Sequence, residues 1–386
     1  MTSRAGYAGP SLSARRLNRA TLARQLLLAR ETASVVDGVR RIVALQAQEP
    51  ASPYVALWAR LTDFDPGGLD QAFASRTVIK AHLLRITLHA VAASDHPAFH
   101  AAMLGTLRGA RLYDQRFIAE GVSVAETDAL IPELVAYASD PRTNRDVEAW
   151  LAVRLGRPAP RVWWAIRHYG PFIHAPTGGP WSFGPRPAYI AARQPPEPGD
   201  VAAASQAFVV RYLEGFGPAT MADIAQFGPI LRPPIRDAIG SLGDVLVRYA
   251  GPAGETLFDV RDGLMPDEDA VAPPRLLPMW DSTLLAYADR SRIVPPDLRA
   301  VVTRRNGDVL PTLLVDGTVA GVWRPTADGI EATAFRPLAP SVWAGLETEA
   351  ASLIAFLAGR EPLIYHGRFA HWWSKLPDGE VRVLGR

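Results

Sequence analysis

The sequence predicts an α+β fold of three tandem winged-helix modules followed by a small β-barrel-like domain. Short amphipathic helices followed by a pair of strands recur along residues 1–265, and such units account for the length without a large sheet. From about Arg275 the chain turns to short β-branched runs, two of them joined by Asp316-Gly317, a dipeptide suited to the positive φ of a tight hairpin.

In the first unit (residues 1–110), apolar spacing predicts helices over Ala20–Leu28, Val35–Gln46, Pro53–Leu61 and Leu69–Ala74. Strands follow at Thr77–Leu83 and Arg85–Ala92, and a helix over Pro97–Arg108 closes the unit. The second unit (111–195) reads as helices Val124–Ala138, Asn144–Leu155 and Arg161–His168. Its strands, Phe172–Ala175 and Ala188–Ala191, flank a loop rich in Gly and Pro. The third (200–265) has helices Ala203–Glu214, Met221–Phe227 and Pro234–Leu242. Its strands Val245–Tyr249 and Thr256–Val260 lie around the turn Gly251–Gly254. The likeness among the units is one of element order, not of sequence. In residues 275–386, strands are expected at Val301–Arg304, Leu310–Val315, Thr318–Trp323 and Ile330–Phe335, then a helix over Ser341–Leu357 and a tail without an assignable element. Proline-rich breaks fall at Pro195–Gly199 and Pro266–Pro274.

Composition narrows the chemistry. A chain of 386 residues with 48% hydrophobic and 21% charged residues supports packed cores throughout. The absence of cysteine excludes disulfides, thiolate metal sites and a Cys nucleophile, and no metal is expected. Basic residues number 41 and acidic residues 39, so the net charge of +2 announces no polyanion partner. Distribution says more: residues 1–60 hold nine Arg against Glu31, Asp37 and Glu49. Lys80 and Lys375 are the only lysines, which leaves little room for Schiff-base chemistry. No export signal or run of about 18 apolar residues is evident, so a cytoplasmic location without membrane contact is expected. The sequence holds no G-x-x-x-x-G-K-[ST], no G-x-G-x-x-G after a strand, no G-x-S-x-G and no H-E-x-x-H. Nucleotide-driven, dinucleotide, serine-hydrolase and zincin chemistries lose their usual support, and no cofactor is expected.

Three stretches carry polar side chains in suggestive order. Gln46 and Gln48, in Leu45-Gln46-Ala47-Gln48-Glu49-Pro50, fall at the end of a predicted helix that Pro50 helps to stop. In a partly unwound last turn both amides can converge and orient a water; the same spacing fits exposed helix-end residues. Alternation in Arg85-Ile86-Thr87-Leu88-His89 places Arg85, Thr87 and His89 on one strand face, either to contact phosphate or simply to meet solvent. Arg290, Arg292, Arg299, Arg304 and Arg305 lead into the Asp316-Gly317 hairpin and suit a nucleic-acid groove. Surface ion pairs with Asp281, Asp289 and Asp297 are the ordinary alternative.

Taken together, the Gln46-Ala47-Gln48 motif, the Arg85-x-Thr87-x-His89 strand, Arg275-Leu-Leu-Pro-x-Trp-Asp281 and the run Leu310–Trp323 resemble the AlkZ-type bacterial DNA glycosylases. The likeness spans about Leu17 to Leu357. It implies a C-shaped body with a concave channel for double-stranded DNA, and a catalytic pair at Gln46 and Gln48. The implied reaction is monofunctional hydrolysis of the N-glycosidic bond of N7-alkylguanine, bulky adducts or interstrand crosslinks included, leaving an abasic site. Members of the two-glutamine branch include both self-resistance proteins of producers of DNA-alkylating natural products and general repair enzymes, so the resemblance implies either role, and a monomer is expected. Arg85, Thr87, His89, Arg290, Arg292, Arg304 and Arg305 are the expected DNA contacts. Two rivals share the element order: a non-catalytic winged-helix transcription regulator and a protein that sequesters the drug itself.

Overall fold

The computed structural model describes residues 9–193, 200–365 and 369–385, and it is a mixture of helix and antiparallel sheet. Of the two proline-rich breaks, the first, Pro195–Gly199, lies outside the described residues.

Helix boundaries follow the capping chemistry. Ser123, Thr143 and Thr220 each accept a backbone N–H three residues on, and Glu126, Asp146 and Asp223 return the bond. These capping boxes start the helices Val124–Tyr137, Asn144–Leu155 and Met221–Phe227 where the sequence places them. The first helix runs Ala14–Arg24 rather than Ala20–Leu28. Ser13 caps it early, and Leu26 at φ 56° ends it. The second, Val35–Ile42, stops short of the glutamines because Val43 sits at φ 74°.

Strands β1 (Leu45–Gln46), β2 (Val78–His82), β3 (Leu88–Ala92), β4 (Arg142–Thr143), β5 (Phe172–Ala175) and β6 (Ala188–Ala191) form one sheet in the order β1-β3-β2-β5-β6-β4. The strand pairs of the first two units are therefore fused, through Lys80 opposite His174. Strands β7 (Leu246–Ala250) and β8 (Thr256–Val260) form a separate hairpin.

The C-terminal region is not a closed barrel. Strands β9 (Arg275–Leu277), β10 (Thr312–Val315), β11 (Thr318–Thr326), β12 (Gly329–Ala334) and β13 (Glu380–Leu384) make an open antiparallel sheet in the order β13-β12-β11-β10-β9. The helix Pro340–Ala358 packs across this sheet, so its apolar face is covered without closure. Asp316 and Gly317 both take positive φ at the β10–β11 turn, as expected. The strand expected at Val301–Arg304 is instead the end of a helix, Pro296–Val302, whose proline pre-sets the first turn. The tail supplies the edge strand β13.

Two large cores result. In one, Leu57, Tyr54 and Leu22 from the N-terminal helices pack with Leu313, Trp323 and Leu353 from the C-terminal sheet and its helix. In the other, Phe99, Trp163, Phe208 and Tyr212 pack beneath the six-stranded sheet. Buried ion pairs stitch distant segments: Arg24 to Asp259 at 2.6 and 2.7 Å, and Arg60 to Asp281 at 2.8 Å twice.

Histidines in these cores set an acid limit. His82 stacks near His168 (3.9 Å between ring centres) and His174 (5.8 Å), with Arg111, Arg167 and Lys80 close by. Burial, before neighbouring charge, drives His168 and His96 down to about 3 and holds His82 and His174 well below their ordinary value, and burial alone, against raising backbone hydrogen bonds, takes His100 to about 4. The unfolded chain protonates these rings below about pH 6.5 while the fold keeps them neutral. Stability is thus fully present above that pH and falls as pH drops toward the folded values, by about 1.4 kcal/mol per pH unit for each such ring. The urea midpoint is expected to fall steeply between pH 7 and pH 5; an unchanged midpoint across that interval contradicts these assignments.

Candidate functional site

Neither glutamine lies at a frayed helix end: Gln46 closes the short strand β1, and Gln48 lies in the bend that follows it. With the helix stopped at Ile42, Leu45 and Gln46 pair with Ala90 and His89, and the Ala47 N–H donates to the Leu88 carbonyl at 2.9 Å. In an extended chain residues two apart share a face. Leu45 and Ala47 are buried on one side, which puts Gln46 and Gln48 together on the other. Gln46 is 5% exposed, whereas Gln48 lies open. The backbone N–H of Gln48 donates to Oε1 of Gln46 at 2.7 Å. Because that N–H can only donate, the Gln46 amide is fixed with its oxygen toward Gln48 and its NH2 directed away.

Both glutamines line a cleft of about 300 Å³, whose walls include Arg85, Thr87, Trp280, Arg290 and Asp308. Arg85 is not on a strand: it sits at φ 51° in the turn Leu84–Ile86 between β2 and β3, followed by Ile86 at φ 59°. This turn breaks the expected alternation. His89 consequently points into the protein and is fully buried, a correction to its expected place beside DNA. Its role is support: Nε2 accepts from Arg85 Nη2 at 3.0 Å, and Nδ1 donates to the Thr87 carbonyl at 3.1 Å. Arginine has no acceptor, so the proton of the neutral ring is assigned to Nδ1. Burial, then the charge of Arg85, keeps His89 well below the ordinary histidine value, consistent with that tautomer.

The arginines separate into two groups. Arg85 and Arg290 reach the cleft, and Arg85 Nη1 together with Arg290 Nε and Nη1 are buried without a hydrogen-bond partner among the described residues. Burial, then the charge of Arg290, pulls Arg85 down to about 9; burial, then Arg299, lowers Arg290. Guanidinium groups stay charged at neutral pH, so the cleft presents two desolvated cations. Arg292, expected beside them, instead donates to the Pro218 carbonyl at 3.0 Å and lies over the Tyr287 ring at 4.1 Å. Arg304 is engaged with His371 (3.1 Å) and the Trp372 ring (4.2 Å), and Arg305 is exposed on the neighbouring turn.

Of the other cleft-lining residues, Trp280 stood out in the sequence only within the Arg275–Asp281 run, and Leu285, Asn306, Gly307 and Asp308 carried no expected role. Asn306-Gly307 carried a usable signal as a turn dipeptide, and Gly307 does take φ 88°. Trp280, at φ 56°, donates through Nε1 to the Gly307 carbonyl at 2.9 Å and so ties that turn to the cleft. No group of three or more His, Asp or Glu side chains among the described residues is arranged to hold a metal ion. None of their helices is long and apolar enough to cross a membrane.

A family model described as DNA glycosylase AlkZ-like matches residues 39–356, from the helix before the glutamines to the end of the C-terminal sheet's covering helix. The chain belongs to the AlkZ-like DNA glycosylase family. Among curated relatives it is 25% identical, over 333 residues, to an interstrand DNA cross-link repair glycosylase of Streptomyces sahachiroi, covering 81% of this chain and 88% of that protein. Its fold is similar to the structure of Streptomyces sahachiroi DNA glycosylase AlkZ, with a TM-score of 0.76 and 22% identity, covering 92% of this chain and 98% of the other. Membership makes DNA the class of substrate and the chain a DNA repair glycosylase.

Proposed function

We propose that this AlkZ-like chain is a monofunctional glycosylase that releases N7-alkylguanine from double-stranded DNA, with Gln46 and Gln48 holding the water that replaces the base. The observation that carries the reading is the pair itself: two neutral amides, one locked to the other's backbone, in a common cleft with Arg85 and Arg290, whose Nη1 (Arg85) and Nε and Nη1 (Arg290) are buried without a hydrogen-bond partner among the described residues. Alkylation at N7 gives guanine a positive charge. When the C1′–N9 bond breaks, its electron pair goes to the base, which departs neutral and needs no proton. Water then adds its oxygen to C1′ and sheds one proton to solvent, leaving an abasic site on an intact strand. Such a reaction asks for a positioned water rather than a strong acid, and amides can both donate to and accept from it.

The other walls support this assignment. Arg85 and Arg290, the two cations on the cleft wall, are assigned in this reading to the phosphates flanking the lesion. Lys80, the lysine nearest in sequence, is buried over the Phe183 ring at 4.4 Å and is not part of the cleft wall, which favours water over an amine as nucleophile. The cleft is small for an alkylated base with a bulky substituent, which suits attack on the sugar while a large adduct or crosslinked partner remains outside. With the cross-link repair activity named for the Streptomyces sahachiroi relative, this extends the proposed substrates to N7-linked crosslinks.

The test is to incubate the protein with duplexes bearing N7-methylguanine and, separately, an N7-linked interstrand crosslink. Release of base, with strand scission only after alkali, is the expected result. Tight DNA binding without release of either base overturns the reading and favours a DNA-binding regulator. The arginines yield a separate expectation. Arg85→Ala and Arg290→Ala should each weaken duplex binding and lower the slope of log K against log salt by about 1. A salt slope unaltered in both variants removes them from the phosphate contacts.

A further inference from the structure

The cleft poses an electrostatic problem that the glutamines do not solve. Loss of a cationic base moves positive charge onto C1′ and O4′ of the sugar. Gln46 and Gln48 are neutral, and Arg85 and Arg290 repel such a charge unless DNA phosphates neutralise them. One wall residue has the opposite sign. Asp308 lies in the same cleft, on the turn that Trp280 anchors through the Gly307 carbonyl.

The turn holds this carboxylate in place. The Arg304 N–H donates to the Asp308 carbonyl at 2.8 Å, and Gly307 N–H to the Arg304 carbonyl at 3.0 Å. Asn306 grips Asp308 from both ends: its Oδ1 accepts the Asp308 N–H at 3.1 Å, and its Nδ2 donates to Oδ2 at 2.9 Å. A fixed, half-buried negative charge costs little to reorganise as the sugar becomes cationic, and water exclusion strengthens its effect. Glu49, adjacent to Gln48 in sequence, is not part of the cleft wall.

We propose that Asp308 is a catalytic carboxylate that stabilises the developing sugar cation across the cleft from the water-holding glutamines. The assignment rests on the glycosylase reading above and adds to it the group that meets the charge on the sugar. It also accounts for the mixed polarity of the cleft: arginines for the phosphates, an aspartate for the sugar.

Asp308→Asn is nearly isosteric and keeps an oxygen for the Asn306 contact, so it removes charge with little change of shape. Single-turnover release of N7-methylguanine should slow by about 100-fold or more in this variant. A second readout separates electrostatics from structure: duplexes carrying a pyrrolidine abasic analogue, cationic in the ring, or a neutral tetrahydrofuran analogue. The wild-type protein should prefer the cationic duplex, and Asp308→Asn should lose that preference by about tenfold or more. Wild-type release rates in Asp308→Asn overturn the proposal while leaving the glycosylase reading intact. A slowed rate with an unaltered preference between the two analogues also overturns it, because a purely structural role gives that result. Failure of the wild-type protein to release N7-methylguanine overturns both.

Discussion

Gln46→Ala should reduce base release by about 100-fold or more while leaving the fold and duplex affinity near wild type. The side chain does two things at once. Its oxygen takes the Gln48 N–H at 2.7 Å, and its amide forms part of the cleft wall. Truncation therefore removes one water ligand and frees the backbone that aims the second glutamine. Misplacement of a reacting group by about 1 Å is enough to cost 100-fold. Gln48→Ala removes a side chain but leaves the Gln48 N–H to Gln46 bond in place, so its loss should be smaller. Equal activity of both variants and the wild type in single-turnover assays takes the pair out of the reaction. The fold itself should tolerate Gln46→Ala, since Leu45 and Ala47 supply the buried contacts of this strand.

The largest effect on stability is expected at Arg60. Its Nε donates to the Gln25 carbonyl, Nη1 to the Ala56 carbonyl and Asp281, and Nη2 to Asp281 and Thr283, at 2.8 to 3.0 Å. All five N–H groups of the guanidinium are thereby used. Both members of the pair are buried, with side chains 0% and 1% exposed. Arg60→Ala leaves the Asp281 carboxylate uncompensated and should cost about 3–5 kcal/mol in urea unfolding. Exposed Arg236, whose partner Asp237 is also open to solvent, is the control: Arg236→Ala should change stability by less than about 1 kcal/mol. The double variant Arg60→Met with Asp281→Leu should recover much of the loss, because it removes both buried charges. Comparable unfolding of Arg60→Ala and Arg236→Ala contradicts the assignment. Asp281 directly follows Trp280, so the same pair braces the cleft wall.

Local chemistry was legible in the sequence, and distant pairing was not. Capping boxes at Ser123, Thr143 and Thr220 set helix starts from residues three apart, and the Asp316-Gly317 turn set its own hairpin. Val43 is the counter-example. A β-branched residue at φ 74° breaks the apolar helical pattern without any compositional sign, and Gln46 moves from helix to strand with Gln48 in the bend after it. The strand β1 then depends on β3, more than forty residues away, for its hydrogen bonds. The cleft was half visible for the same reason. Gln46, Gln48, Arg85 and Thr87 stand close in sequence, whereas Trp280, Arg290 and Asp308 arrive from the far part of the chain. Arg292 and Arg304 look like Arg290 in sequence, but tertiary contacts to Pro218 and Tyr287, or to His371 and Trp372, turn them elsewhere. The open sheet read as a barrel because strand patterns report alternation, not closure, and the short edge strand Glu380–Leu384 pairs with β12, about fifty residues earlier.

The central claim is that the cleft positions water and relies on the charge of the base to make it leave. Single-turnover release measured on matched duplexes carrying N7-methylguanine or hypoxanthine tests it directly. Release of the cationic base with the strand intact, and retention of neutral hypoxanthine, is the expected result. Release of hypoxanthine at a comparable rate contradicts it, since that base departs only with a proton that water-holding amides do not supply.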